Sequence, residues 1–233
     1  MKNGIKKLQI KHLKKTLLFY SSLIFLDSAF EEATKKNEQS SLEEALSLLT
    51  DAIPENLKDV CSEEDADYER YYYSMQFVEL VSNVELFLIE VIKLVVSHHP
   101  NKIGRQQVSI ADVVELGDTR AVVEKACANY LNNLSYKKPN DYKNEFLKLL
   151  SANEDLLDDE WPTFIEMKAR RDLGVHNDWC INDIYKRKIK EVGFTVPAGA
   201  KYMHPSKEYV LERIRFTSFL YDKICDYVRE KYV

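Results

Sequence analysis

The chain has 233 residues, 45% hydrophobic and 30% charged, a globular composition that excludes intrinsic disorder. A net charge of −5 argues against general electrostatic coating of nucleic acid, while leaving room for a local basic site. Six Gly and six Pro leave few turns, so long elements are expected in one large domain or two small ones.

At the N-terminus, Lys6, Lys7, Lys11, Lys14 and Lys15 precede an apolar run at 16–26. The pattern has the outline of a signal peptide. However, about 11 apolar residues are too few to span a bilayer. Asp27 ends the run, and no small-residue cleavage pattern follows. The expectation is an amphipathic helix with a lysine-coated outer face, over 5–36 as one helix or two. Ser41-Leu42-Glu43-Glu44 is a capping box for a helix running to Ala52, before Pro54. Residues 55–66 are acidic and suit a loop or a short helix.

The clearest element spans 67–98. Phe77, Leu80, Val81, Val84, Phe87, Leu88, Val91, Leu94 and Val95 recur at helical spacing, which predicts a buried helix. It ends at His98-His99-Pro100-Asn101. Two histidines there favour the helix dipole and need no metal, since no carboxylate or cysteine stands at ligand spacing. Ser109 is placed to cap a short helix closed by Gly117, and Asp118 to cap the next, over 119–134. Pro139 opens a helix to Leu150, and Pro162 fits the first turn of another. A polar basic stretch follows, then an extended segment at 192–203 with Gly193, Pro197 and Gly199, then a helix from Ser206 to Lys231. The fold class is all-α. Cys61, Cys127, Cys180 and Cys225 form no CxxC, and none lies within about forty residues of another. Reduced thiols in a cytoplasmic protein fit that spacing.

The stretch 170–179, RRDLGVHNDW, is unlike its surroundings. Arg171 and His176 are five residues apart, about 140° around an ideal helix, so a regular helix would not converge them. Gly174 between them permits a break. The backbone is therefore expected to leave the helix here, letting Arg171, Asp172, His176, Asn177 and Asp178 form a polar cluster. Between Glu166 and Lys190 seven cations face four carboxylates, a local +3 in a chain of −5. Arginine forks onto phosphate oxygens, and histidine exchanges protons near neutral pH, so the cluster suits phosphodiester recognition. A solvated helix end with a partnered histidine is the plain alternative.

Arg171-Asp172-x-x-x-His176 resembles the R-x(4–6)-H signature of HEPN domains. Its context, Trp161-Pro162-x-Phe164-x-Glu166 through His176-Asn177, is similar to members from bacterial defence and toxin–antitoxin loci. Phe77 to Leu88 with His99-Pro100-Asn101-Lys102-Ile103-Gly104 resembles the core helix of such members. The approach to the last helix, Gly199-x-x-Tyr202 to Tyr209-Val210, is similar too. The resemblance covers 65–233 and leaves 1–64 as an N-terminal helical extension. It departs at Asp172, where asparagine is frequent, and at Gly174, where an aliphatic residue is usual.

The resemblance implies a HEPN-like helical bundle acting as a metal-independent endoribonuclease with no cofactor. The RNA 2′-hydroxyl would attack phosphorus. Arg171 would stabilise the developing charge, His176 would move a proton, and Asp172 and Asn177 would orient the pair. Lys168, Arg170, Lys186, Arg187, Lys188 and Lys190 are the candidate RNA-binding residues. The implied partners are RNA, a second copy meeting the first at the active site, and an antitoxin or defence-system protein. No membrane partner is expected. A catalytically inactive RNA- or protein-binding module, with Asp172 quenching Arg171, is one rival. An unrelated helical scaffold is the other.

Overall fold

The computed structural model describes residues 1–36, 68–135 and 137–232. The capping box at Ser41–Glu44, the helix it would start and the acidic stretch 55–66 lie outside the described residues. Eight α-helices appear among the described residues: α1 (Lys2–Lys36), α2 (Tyr68–His98), α3 (Ile110–Leu116), α4 (Thr119–Ser135), α5 (Pro139–Leu150), α6 (Trp161–Asn177), α7 (Asp183–Lys190) and α8 (Lys207–Tyr232). A single 3-10 turn, Pro100–Ile103, follows α2. No strand occurs among them, only an isolated bridge between Cys180 and Tyr202. The all-α expectation holds.

Helices α1, α2 and α8 form the centre. On α1, Ile5, Leu8, His12, Thr16, Phe19 and Leu23 are buried at spacings of three and four. Lys6, Lys7, Lys11 and Lys14 are exposed. The ion pairs Lys11–Glu90 and Lys15–Glu79 set α1 antiparallel to α2. Gly4 admits the close end of this pairing, since a Cβ there would lie 2.8 Å from Leu94 Cδ1. The first helix is thus core: its residues join two hydrophobic clusters with α2 and α8. The N-terminal extension therefore contributes α1 to the same core as α2 and α8.

A polar network crosses the centre. His12, 1% exposed, bonds Asn83 Oδ1 through Nδ1 at 2.9 Å and Glu90 Oε2 through Nε2 at 2.8 Å. Asn83 donates to the Tyr221 hydroxyl at 2.9 Å. The rings of Phe87 and Tyr221 lie 4.1 Å apart beside it. Each buried polar group here has a partner, as burial requires.

The smaller helices begin as their caps predict. Ser109 accepts from the Asp112 N–H, and Gly117 ends α3 in the left-handed region at φ 63°. Asp118 accepts from the Ala121 N–H at 3.1 Å. Pro139 opens α5, which buries Phe146, Leu147, Leu149 and Leu150 against the core. The basic stretch after α6, to which the sequence analysis gives no secondary structure, is the helix α7. Asn182 caps it by accepting from the Tyr185 N–H, while Tyr185 and Ile189, four residues apart, bury against Ala169 and Leu173 of α6. Lys186, Arg187 and Lys190 are left on its exposed side.

Candidate active site

Helix α6 runs unbroken from Trp161 through Gly174 to Asn177, so the expected break at Gly174 does not occur. The glycine answers a packing need instead. A Cβ at residue 174 would lie 2.4 Å from Cζ2 of the Trp179 indole. The chain reverses just beyond, with Asp178 at φ 46° and Trp179 at φ 60°. The Trp179 N–H returns to the Leu173 carbonyl at 3.3 Å, closing the helix end and laying the indole on Gly174.

A regular helix keeps Arg171 and His176 on different faces. Arg171 faces α2, where its Nη2 donates to Glu85 Oε2 at 2.6 Å. Its Nε lies 3.4 Å from Asp172 Oδ1, buried and without a hydrogen bond of proper geometry. Lys168 donates to the other Glu85 oxygen. Glu85 therefore holds two cations of α6 at once, and its part in the site was missed from sequence. Nothing local pairs it with a residue 86 positions away.

His176 is exposed, and no hydrogen bond to it is found among the described residues. It lines a groove of about 330 Å³ with Asp172, Asn177, Asn182, Tyr185 and Lys188. Asp172, one turn before His176, accepts from Lys188 Nζ at 3.3 Å. Asn177 donates to the Cys180 carbonyl, bracing the helix end rather than the imidazole. Within one protomer, then, His176 shares its groove with Asp172, Asn177 and Lys188, while Arg171 stands apart on Glu85.

Arg170 is not available to RNA as expected. Its side chain is 12% exposed and donates through Nε to Glu166 Oε1 at 2.8 Å. The guanidinium stacks 3.8 Å from the Tyr209 ring centroid. Glu166, 2% exposed, also accepts from the hydroxyls of Tyr185 and Tyr209. Burial works against the charge of Arg170, but the Tyr209 and Glu166 groups around it hold its pKa above the ordinary value. Burial, and then the Glu166 charge, drive the Tyr209 hydroxyl well above the usual phenol range. Burial, with Glu166 opposing Arg170, pushes Tyr185 up to about 12. Tyr209, in the first turn of α8, thus ties α8 to α6.

Comparison of the chain with family models, with curated proteins and with solved structures returns no match.

Of the other basic candidates, Lys186 and Lys188 are 55% and 41% exposed and pair with Asp183 and Asp172, so both heads reach solvent. Arg187 and Lys190 are exposed on the same short helix. No group of three or more His, Cys, Asp or Glu side chains able to hold a metal occurs among the described residues. His98 Nδ1 instead meets the Leu94 carbonyl at 3.0 Å, in the last turn of α2.

Proposed function

We propose that this protein is a metal-independent endoribonuclease of the HEPN type, in which Arg171 and His176 act on an RNA phosphodiester. The observation that carries the reading is the state of His176. An exposed imidazole with no partner among the described residues can give and take a proton. It shares its groove with Lys188, and the outer face of α7 presents Lys186, Arg187 and Lys190. A proton-transfer group beside a cationic helix suits a bound phosphodiester, with the backbone drawn in by charge.

Cleavage through the 2′-hydroxyl needs one group to take the nucleophile's proton and one to protonate the leaving oxygen. One protomer offers a single histidine in the groove. A two-fold homodimer would bring two His176 and two Arg171 around one substrate, so that an arginine and a histidine which diverge within a protomer could meet across the axis. In the resting protomer Arg171 is committed to Glu85, and phosphate would compete with that carboxylate for the guanidinium.

That same commitment favours a second reading, a HEPN-like module that binds RNA or a defence-system partner without cutting. Arg171 sits between Glu85 and Asp172 with its charge already balanced. Incubation of purified protein with RNA in excess chelator separates the two. The catalytic reading expects 2′,3′-cyclic phosphate ends with chelator present, inert DNA, no turnover from His176→Ala, and reduced turnover and affinity from Arg171→Ala. Wild-type binding without cleavage would favour the module. Cleavage that the two variants leave intact would remove the site from this helix altogether.

A further inference from the structure

A second concave site lies between α2, α5, α6 and α7, a cleft of about 430 Å³. That volume is in the range of roughly 300–1,000 Å³ that encloses drug-sized ligands. Its wall is apolar: Ile89 of α2, Tyr142 of α5, and Trp161 and Phe164 of α6. The Tyr142 and Trp161 rings lie nearly parallel, 12° apart in plane and 6.1 Å between centroids, stacked in the wall of the cleft. Trp161 is 4% exposed, and its indole Nε1 is buried with no hydrogen-bond partner.

The rim is cationic. Lys137, Lys168 and Lys188 line the cleft against one carboxylate, Glu85. Their side chains are 40%, 36% and 41% exposed. Lys168 is held by Glu85, while the partners of the other two leave room for another: Lys137 stands 3.8 Å from Glu145, and Lys188 is 3.3 Å from Asp172. An apolar slot with an excess of positive charge at its mouth selects a particular chemistry. The body must be apolar, and one end must carry an anion to meet the lysines. We infer that this cleft is a binding site for a small amphiphilic anion, an aromatic body of two or three rings bearing a single carboxylate, sulfonate or phosphate. The inference does not depend on RNA cleavage. Because Lys168 and Arg171 share Glu85, an anion that draws Lys168 away also changes what holds Arg171.

The test is a fluorescence titration of the full chain with 8-anilinonaphthalene-1-sulfonate. The comparison ligand is N-phenyl-1-naphthylamine, which has the same rings without the anion. The expected result is one saturable site that prefers the sulfonate by about ten-fold, the worth of one charge-assisted contact. Ile89→Trp fills the slot and should abolish binding, with circular dichroism confirming the helical fold. The pair Lys137→Ala and Lys188→Ala should weaken the sulfonate by about ten-fold and leave the neutral compound unchanged. This pair carries the test if Ile89→Trp does not fold. As a control, Leu18→Lys with Phe25→Lys alters the exposed apolar residues of α1 and should change nothing. Equal affinity for the two compounds would overturn the inference. So would binding untouched by the cleft variants, or binding removed by the α1 pair.

Discussion

Gly174 shows how one residue carries two opposed meanings. In a helix interior glycine is about 1 kcal/mol worse than alanine, so its presence suggests a break. Here the helix continues and the missing Cβ makes room for Trp179. Gly174→Ala should therefore destabilise the fold by about 1–3 kcal/mol, the usual penalty for overpacking, despite the better helix propensity. In a Trp179→Leu background the same substitution should become neutral or stabilising. Urea denaturation of the four proteins closes the cycle. Additive effects would mean that the indole is not what excludes the side chain. Arg170 teaches the same lesson with charge. Adjacent to Arg171 in sequence, it turns 100° around the helix and is consumed by Glu166 and Tyr209, where RNA has no access.

At the scale of the element, α7 joins packing to the proposed chemistry. Tyr185 and Ile189 anchor it to α6, and that register holds Lys186, Arg187 and Lys190 outward while Lys188 reaches back to Asp172. Neutralising Lys186, Arg187, Lys188 and Lys190 together should flatten the salt dependence of RNA binding, with a log–log slope smaller by up to about 3–4. The substitutions keep the buried pair, so the helix content should not change. An unchanged slope would make α7 a solvated strut. Helix α1 belongs to this scale too. Its buried residues meet both α2 and α8, so a fragment beginning at residue 65 would expose the faces of α2 and α8 that α1 covers.

For the whole molecule, the phenols dominate the response to high pH. Tyr142 and Tyr221 are pushed above their ordinary range mainly by burial, and so are Tyr185 and Tyr209. A pKa raised on folding leaves stability intact below the unfolded value, near 10, and withdraws it as pH rises beyond. Each such group removes about 1.4 kcal/mol per pH unit until its folded pKa is reached. Thermal midpoints measured from pH 7 to 11 should be flat with respect to the tyrosines and then fall from about pH 10. Tyr142→Phe and Tyr221→Phe should each make that fall shallower. At the acid end the sign reverses. Burial works against the Glu90 charge, but Lys11 and His12 outweigh it and hold the carboxyl below its usual range. Its contribution is present above the ordinary carboxylate pKa and is lost as pH drops through the folded value.

The proposed dimer is also tested on the whole molecule, by mixing wild-type with His176→Ala subunits under conditions where light scattering shows free exchange. Two histidines serving one groove predict that activity per wild-type subunit falls as mutant is added. A constant value would mean that each protomer works alone.

Much of the architecture could be read from local pattern. The apolar spacing of Phe77 to Val95 dictates a buried helix whatever it packs against, because only one helical face gathers those side chains. Ser109, Asp118, Pro139 and Pro162 mark helix starts for reasons contained within a turn of their own backbone. The basic excess around 166–190 was equally plain from sequence. Which of those cations reach solvent could not be read there. That depended on Glu85 and Glu166 meeting α6, on Trp179 folding back over Gly174, and on the register of α7. The role of α1 was hidden for the same reason: a lysine-rich amphipathic segment looks alike whether it lies outside a domain or inside it. Hydrophobic periodicity and capping are short-range and belong to the chain. Partner choice between charges across helices is long-range, and only the packed structure decides it.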